Sequence, residues 1–147
     1  MAFALRHSPE QLYCRRQFAL GQEFLPDLPD WQRLSIAPGL CLTAHPELAV
    51  THRNNATASV TILGELLEPM RPDASNDDIA GELLTALNSG GSLGDLTTGL
   101  SRYAGRWILI LVRNHERRLV HDAAGTRQVF YTSTDQTRPL PLWCASQ

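Results

Sequence analysis

The clearest structural signal in this chain is the apolar run at residues 105–112, GRWILILV, which is followed by LVHDAAGTRQVFY at residues 119–131. An almost wholly apolar run of this length is typical of a strand that is buried on both faces. Turn-forming residues interrupt the pattern at residues 114–116 and 123–125. Together with a last strand at residues 142–145, these segments predict four strands joined as an antiparallel meander.

Before the apolar run, the sequence passes from strands to helices. Residues 48–51 and 59–63 are β-branched and bounded by turn formers, which predicts two strands joined by a hairpin loop at residues 53–55. Shorter extended segments are predicted at residues 2–5, 16–20, 31–36 and 40–43.

Ser75 has the features of a helix N-cap, because acidic residues follow in the first turn and apolar residues then recur at helical spacing to Leu87. A second helix is predicted across residues 93–103. The order of strands, two helices and further strands excludes a regular βαβ repeat. It predicts an α+β fold in which helices pack on the outside of sheets.

Length and composition limit the classes of function. The 147 residues predict one domain, residues 1–147, and the formal net charge of −2 favours neither nucleic acid nor an anionic membrane surface as a partner. No window holds 18 apolar residues, so no membrane-spanning helix is predicted. Three cysteines far apart, without a secretory leader, indicate a reducing, cytoplasmic location. The five histidines show no metal-ligand spacing, so no metal site is predicted.

Residues 105–131 resemble the run "GxFAFALWD…LLLARDxxGxxPLYY" of the glutaminase domain of asparagine synthetases, the class II glutamine amidotransferases, and the resemblance extends over residues 60–147. It implies a four-layer αββα sandwich of two antiparallel sheets with flanking helices, the Ntn-hydrolase type of fold. It also implies that the chain is the N-terminal part of a longer protein with a C-terminal synthetase domain. ATP and Mg²⁺ would belong to that domain, with no cofactor in this one. A naturally short, stand-alone domain is the alternative.

The resemblance implies that the catalytic groups of the family are missing. The family's nucleophile is a cysteine directly after the initiator methionine, and here that position is Ala2, whose methyl group cannot form a thiolate. The oxyanion asparagine of the family's "NGEIYN" segment corresponds to Leu63, while Gly64 and Glu65 are retained. Loss of one oxyanion donor typically lowers the rate by about 10²–10³. Without the resemblance, Leu63 and Gly64 are read as a strand end and a tight turn.

Other residues correspond to parts of the family's glutamine pocket. Arg33 begins an "RLSI" segment that is similar to the segment with which the family holds the α-carboxylate of glutamine. Asp77 or Asp78 is similar in position to the acid of the family's "SDTE" segment. The resemblance therefore implies that Arg33, Gly64, Glu65 and Asp78 are remnants of a substrate site. Both aspartates are equally well explained as first-turn charges of a helix.

The segment that follows the strand at residues 119–122 contains a predicted turn. Asp122, Gly125 and Arg127 are expected to fix this turn rather than to contact a ligand, since Gly125 tolerates a positive φ and Asp122 can accept hydrogen bonds from the backbone that follows it.

Cys14 would become a nucleophile only if cleavage of a propeptide exposed it. The charged pair Arg15 and Arg16 that follows it favours a structural cysteine instead.

The sequence thus predicts a glutaminase-like domain without activity, which acts as a structural or partner module for an ATP-dependent, amide-forming synthetase domain. The synthetase domain of the same chain and a second copy of the chain are the expected partners. The alternative is a divergent, active amidotransferase that supplies ammonia from glutamine for asparagine-type amidation. A third hypothesis is an interaction module that binds no small ligand.

Overall fold

The computed structural model describes residues 16–131 and the backbone of residues 143–146. The strands, helices and one 3₁₀ turn of this part of the chain occur in the following order: β1 Phe18–Gly21, β2 Gln32–Ala37, β3 Leu40–Ala44, β4 Val50–Asn54, β5 Ala58–Leu67, α1 Asn76–Asn88, α2 Leu93–Thr98, the 3₁₀ turn Gly99–Arg102, β6 Ala104–Arg113, β7 Glu116–His121, β8 Gln128–Tyr131 and β9 Trp143–Ser146.

The strands form two antiparallel sheets. One sheet has five strands in the order β2-β3-β1-β9-β8, and the other has four in the order β4-β5-β6-β7. The α+β class with two antiparallel sheets is therefore confirmed. The predicted meander is wrong, because β8 and β9 leave the sheet of β6 and β7 and join the five-stranded sheet. The hydrophobic pattern of a strand does not specify which sheet edge it pairs with. The turn after β7 directs the chain from the four-stranded sheet to the five-stranded sheet.

The apolar strand β6 lies at the centre of both cores. Ile108 and Ile110 face the five-stranded sheet, where they pack with Phe18 and other apolar side chains. Leu109 and Leu111 face the opposite way and pack with the helices. The prediction of a strand buried on both faces is confirmed, since alternate residues of β6 supply two different cores.

The two helices pack on one face of the four-stranded sheet. The described layers are therefore helices, four-stranded sheet and five-stranded sheet. On the outer face of the five-stranded sheet, an irregular segment covers Thr43, whose hydroxyl accepts a hydrogen bond from the Leu25 amide at 3.0 Å. The part of the chain described here thus supplies three of the four layers that the resemblance implies.

The N-terminus of α1 is fixed locally. Ser75 is the N-cap and forms a capping box with Asp78, as the sequence predicts.

The second predicted helix is shorter than expected. It ends at Thr98, and a 3₁₀ turn follows from Gly99 to Arg102. Glycine at the end of α2 weakens helix propagation, which explains the difference.

Candidate functional site

The candidate site is centred on Gly64, which lies within β5 and pairs with Trp107 of β6. Its φ of +91° falls in the region that favours glycine. A side chain here would place its Cβ 2.3 Å from the carbonyl oxygen of Arg106. The expectation of a strand end and a tight turn at this position is wrong. β5 continues along β6 as far as Leu67, although its pairing with β4 ends at Leu63.

The polar backbone groups of Gly64 have partners in the protein. Its N–H donates to the carbonyl oxygen of Ala49 at 2.8 Å. Its carbonyl oxygen accepts from the side-chain amide of Asn76 at 2.8 Å, and the oxygen of the same amide accepts from the Leu66 N–H at 3.1 Å. Asn76, the first residue of α1, thus continues the hydrogen bonding of β5 beyond the end of β4.

Leu63 is fully buried in the core between the sheets, with 0% of its surface exposed. It packs there with apolar side chains of both sheets, such as Leu42 and Ile108. An isobutyl group supplies no hydrogen-bond donor, and its burial is explained by packing alone. Leu63, which the resemblance aligned with the oxyanion asparagine, is therefore a core residue in this fold.

Arg127 extends from the start of β8 to Gly64. Only 5% of its surface is exposed. Its Nη1 donates to the carbonyl oxygen of Arg16 at 3.2 Å, and its Nε makes a long contact of 3.5 Å with the carbonyl oxygen of Arg106. A Cβ on Gly64 would lie 3.1 Å from Nη2. Burial, followed by the charges of Arg106 and Arg16, lowers the pKa of Arg127, and Asp122 opposes this shift.

The turn that delivers Arg127 is built on Asp122, which is 2% exposed. Its carboxylate accepts from the N–H of Thr126 at 3.1 Å and from the hydroxyl of Thr126 at 2.9 Å. Burial acts to raise the pKa of Asp122, but hydrogen bonds from Thr126, Ala124 and Arg127 outweigh it and lower the pKa. Gly125 has a φ of +60°. The predicted turn roles of Asp122 and Gly125 are confirmed.

The backbone of Arg127 also helps to fix the turn through its bond to Asp122. The position of its side chain beside Gly64 was not anticipated from the sequence. No local pattern separates Arg127 from the exposed arginines 117 and 118 of β7. Only the crossing of the chain between the sheets brings this guanidinium to β5.

Arg33 and Glu65 do not meet around Gly64 as parts of one pocket. Arg33 lies on β2, where its Nη2 donates to the carbonyl oxygen of Leu25 at 3.3 Å and its guanidinium lies 5.9 Å from the centre of the Phe24 ring. Glu65 is exposed on β5 and pairs in register with Arg106. Neither residue has a contact that identifies a substrate.

The acidic residues of α1 are engaged in local contacts. The carboxylate of Asp78 accepts from the N–H of Ser75 at 3.0 Å and from its hydroxyl at 2.6 Å, and these bonds lower the pKa of Asp78. Asp77 forms an ion pair with Arg53. The reading of both residues as first-turn charges accounts for all of these contacts. A substrate role for Asp78 stays a prediction.

Ala2 and Cys14 lie outside the described residues. Within residues 16–131 and 143–146, no group of three or more histidine, cysteine or acidic residues is arranged to hold a metal ion. No helix of the same part combines the length and apolar character needed to cross a bilayer.

An open cleft of about 420 Å³ lies near the other end of β5. It is lined by neutral residues that include Ser35, Asn54, Ser59 and Asn114, and none of the described residues that line it has a titratable side chain. Ser59 donates from its hydroxyl to the carbonyl oxygen of Ile36 at 3.2 Å, so it is not paired with a base. The cleft therefore has no arrangement for nucleophilic or acid–base catalysis.

In comparisons with known proteins, no family model, no curated protein and no solved structure shows a significant match to this chain.

Proposed function

We propose that this chain is an amidotransferase-like domain without glutaminase chemistry, which acts as a structural or partner module for an ATP-dependent, amide-forming synthetase domain. Two observations support the relationship: the resemblance of residues 105–131 to the asparagine synthetase family, and two antiparallel sheets that share a core. In this proposal the fold is of the αββα Ntn-hydrolase type.

The proposed lack of glutaminase activity rests mainly on the hydrogen-bonding groups of Leu63 and Gly64. An oxyanion hole needs N–H donors that are free to point at the reacting oxygen. Leu63 has no polar side-chain atom, and the N–H of Gly64 already donates to Ala49 at 2.8 Å. Forming the hole would require this bond within the sheet to break. In this proposal, the side chain of Leu63 and the amide of Gly64 therefore offer no free N–H donor to a reacting oxygen.

Among the residues that the structure describes, the side chains beside Gly64 include neither a nucleophile nor a base. Arg106 and Arg127 carry guanidinium groups, which donate hydrogen bonds, cannot accept them and stay protonated at neutral pH. Ala2 in place of the family's cysteine supports the same proposal, a domain that does not hydrolyse glutamine. In the parent protein, ammonia or another amine would then support the synthetase domain, which would use ATP and Mg²⁺.

One relationship supports the alternative of an active amidotransferase. Cys14 is two residues before Arg16, and the carbonyl oxygen of Arg16 accepts from Arg127 beside Gly64. Proteolysis directly before Cys14 would give an N-terminal thiol close in sequence to this junction. Such a residue carries its own amine as the base.

The experiment is a glutaminase assay combined with intact-mass measurement of the purified chain. We expect no glutamate release above buffer, an uncleaved N-terminal region, and no adduct after incubation with a diazoketone analogue of glutamine. The Cys14→Ser variant is the matched control. Glutamate release or an adduct that disappears in this variant would establish the alternative.

A further inference from the structure

We propose that Arg127, Arg106 and Arg16 form a binding site for a small oxyanion, either a carboxylate or a phosphate, at the junction of the two sheets beside Gly64. The proposal rests on the contacts of these arginines and holds whether or not the chain is related to the amidotransferases.

The first observation is a buried guanidinium that has no counter-ion within residues 16–131. Arg127 is 5% exposed, and its hydrogen bonds to these residues go to backbone carbonyl oxygens. Among the described residues, no carboxylate lies within ion-pair distance of it. The nearby Asp122 uses its two oxygens to bind Thr126. A buried positive charge is costly unless an opposite charge compensates for it, so this environment favours an anion.

The second observation is an unpaired donor next to it. The Nε of Arg106 is buried and has no hydrogen-bond partner in the described part of the chain, and Arg106 forms no ion pair with Glu65 across the β5–β6 ladder. Buried N–H groups almost always have a partner, and those without one need an explanation. A bound oxyanion would accept from this N–H.

The third observation is that like charges converge. The charges of Arg106 and Arg16 both lower the pKa of Arg127, after the larger effect of burial, which shows that the three groups lie close enough to repel one another. Arg16 is exposed and Arg106 is half-buried, so the cluster extends from the core to the surface. A ligand could therefore reach the buried guanidinium along the two outer ones.

Gly64 forms one wall of this site. Because it has no side chain, the guanidinium of Arg127 can lie against the backbone of β5, where a Cβ would come within 3.1 Å of Nη2 and 3.2 Å of Nε. A planar guanidinium presents parallel N–H groups that match two oxygens of a carboxylate or phosphate. This geometry favours a small oxyanion over a halide.

The test is thermal unfolding of the full chain at constant ionic strength in phosphate, in succinate and in chloride. We expect phosphate or succinate to raise the melting temperature in a saturable way that chloride does not reproduce, because a ligand that binds only the native state stabilises it. The anion that raises the melting temperature at the lower concentration identifies the oxyanion as a phosphate or as a carboxylate.

Arg106→Gln is the informative variant, because Arg106 is half-buried and its loss leaves the Arg127 contacts in place. We expect it to weaken the apparent affinity about 10-fold or more, since a charge-assisted hydrogen bond is lost. Arg118→Gln removes an equal charge from the exposed side of β7 and is expected to bind as the unmodified chain does. Arg127→Gln serves as a second variant if it folds.

Three results would overturn the proposal. The first is equal stabilisation by all three salts. The second is an equal loss of affinity in Arg118→Gln and Arg106→Gln. The third concerns Glu10 and Asp135, the two acidic residues outside the described part of the chain. Anion binding that appears only in Glu10→Gln or Asp135→Asn would identify an acid of the chain itself as the counter-ion.

Discussion

Gly64 and Gly105 lie on the adjacent strands β5 and β6, and each leaves space for a carbonyl group of the other strand. A Cβ on Gly64 would lie 2.3 Å from the Arg106 oxygen, and a Cβ on Gly105 would lie 2.3 Å from the Glu65 oxygen. Their φ angles are +91° and +100°. This pair of glycines lets the two strands keep their register where Arg127 packs against them.

Replacing either glycine with alanine is expected to destabilise the fold. Gly64→Ala and Gly105→Ala should each lower the free energy of unfolding by at least about 2 kcal/mol, because a positive φ is strained for alanine and the methyl group would collide with the backbone. Urea denaturation measures the change. Gly81→Ala in α1 is the matched control, since its Cβ meets no atom within 4 Å. It should raise stability by about 0.5–1 kcal/mol. Unchanged stability in Gly64→Ala would contradict the close approach of the strands.

The side chain of Asn76 joins the start of α1 to β5. Asn76→Ala removes the bonds to Gly64 and Leu66 and should lower the free energy of unfolding by about 1–2 kcal/mol. Hydrogen exchange at the Leu66 amide should become faster, because that N–H loses its acceptor. Asn88→Ala, at the exposed end of the same helix, should change stability by less than about 0.5 kcal/mol. Equal exchange at Leu66 in both variants would show that the Asn76 bond does not hold the strand.

The turn at Asp122 should give the protein a stability that depends on pH. Its folded pKa is lowered, so its contribution is present above the ordinary value of 3.8 and is lost as the pH falls through the folded pKa. At neutral pH, Asp122→Asn should lower the free energy of unfolding by about 1–3 kcal/mol. The difference from the unmodified chain should stay constant down to about pH 5 and shrink below the ordinary carboxyl pKa. Denaturation series at several pH values measure it.

The control for this experiment is Asp73→Asn, which removes an exposed carboxylate away from the turn. A difference for Asp122→Asn that stays constant down to pH 2 would contradict a lowered pKa.

Placing an asparagine at position 63 should not create an oxyanion hole. Leu63→Asn replaces a fully buried leucine and should lower the free energy of unfolding by about 3–5 kcal/mol, because packing is lost and an amide is buried. Leu67→Asn, at the half-exposed end of the same strand, should cost much less. A glutaminase assay of Leu63→Asn should stay at background. A stable variant with measurable hydrolysis would show that the site is closer to activity than the fold indicates.

The parts of the fold that depend on neighbouring residues could be predicted. Ser75 and Asp78 form the expected capping box because the N-cap interaction spans three residues. The strand around Ile108 to Val112 was evident because a nearly continuous apolar run has few other stable solutions. The packing of helices outside sheets followed from the order of these elements, whereas the two antiparallel sheets were implied by the family resemblance.

The parts that depend on pairing over long distances could not be predicted in this way. The hydrophobic pattern of β8 fits either sheet, and its partner is chosen by the crossing at Asp122 and Gly125. For the same reason Arg127 was expected only to fix a turn, while its side chain lies beside Gly64, more than sixty residues earlier in the chain. Arg33 and Asp78, which the resemblance placed in one pocket, are held by contacts with Leu25 and Ser75.

By itself, the sequence determined the strands, the capped helix α1 and the apolar character of position 63, since these follow from local periodicity and side-chain chemistry. The tertiary structure decided which sheet each late strand joins, that Gly64 is committed to Ala49 and Asn76, and that a buried arginine lies against it. Those outcomes depend on which distant backbone groups satisfy one another's hydrogen bonds, and this is a property of the packed sheets rather than of any single segment.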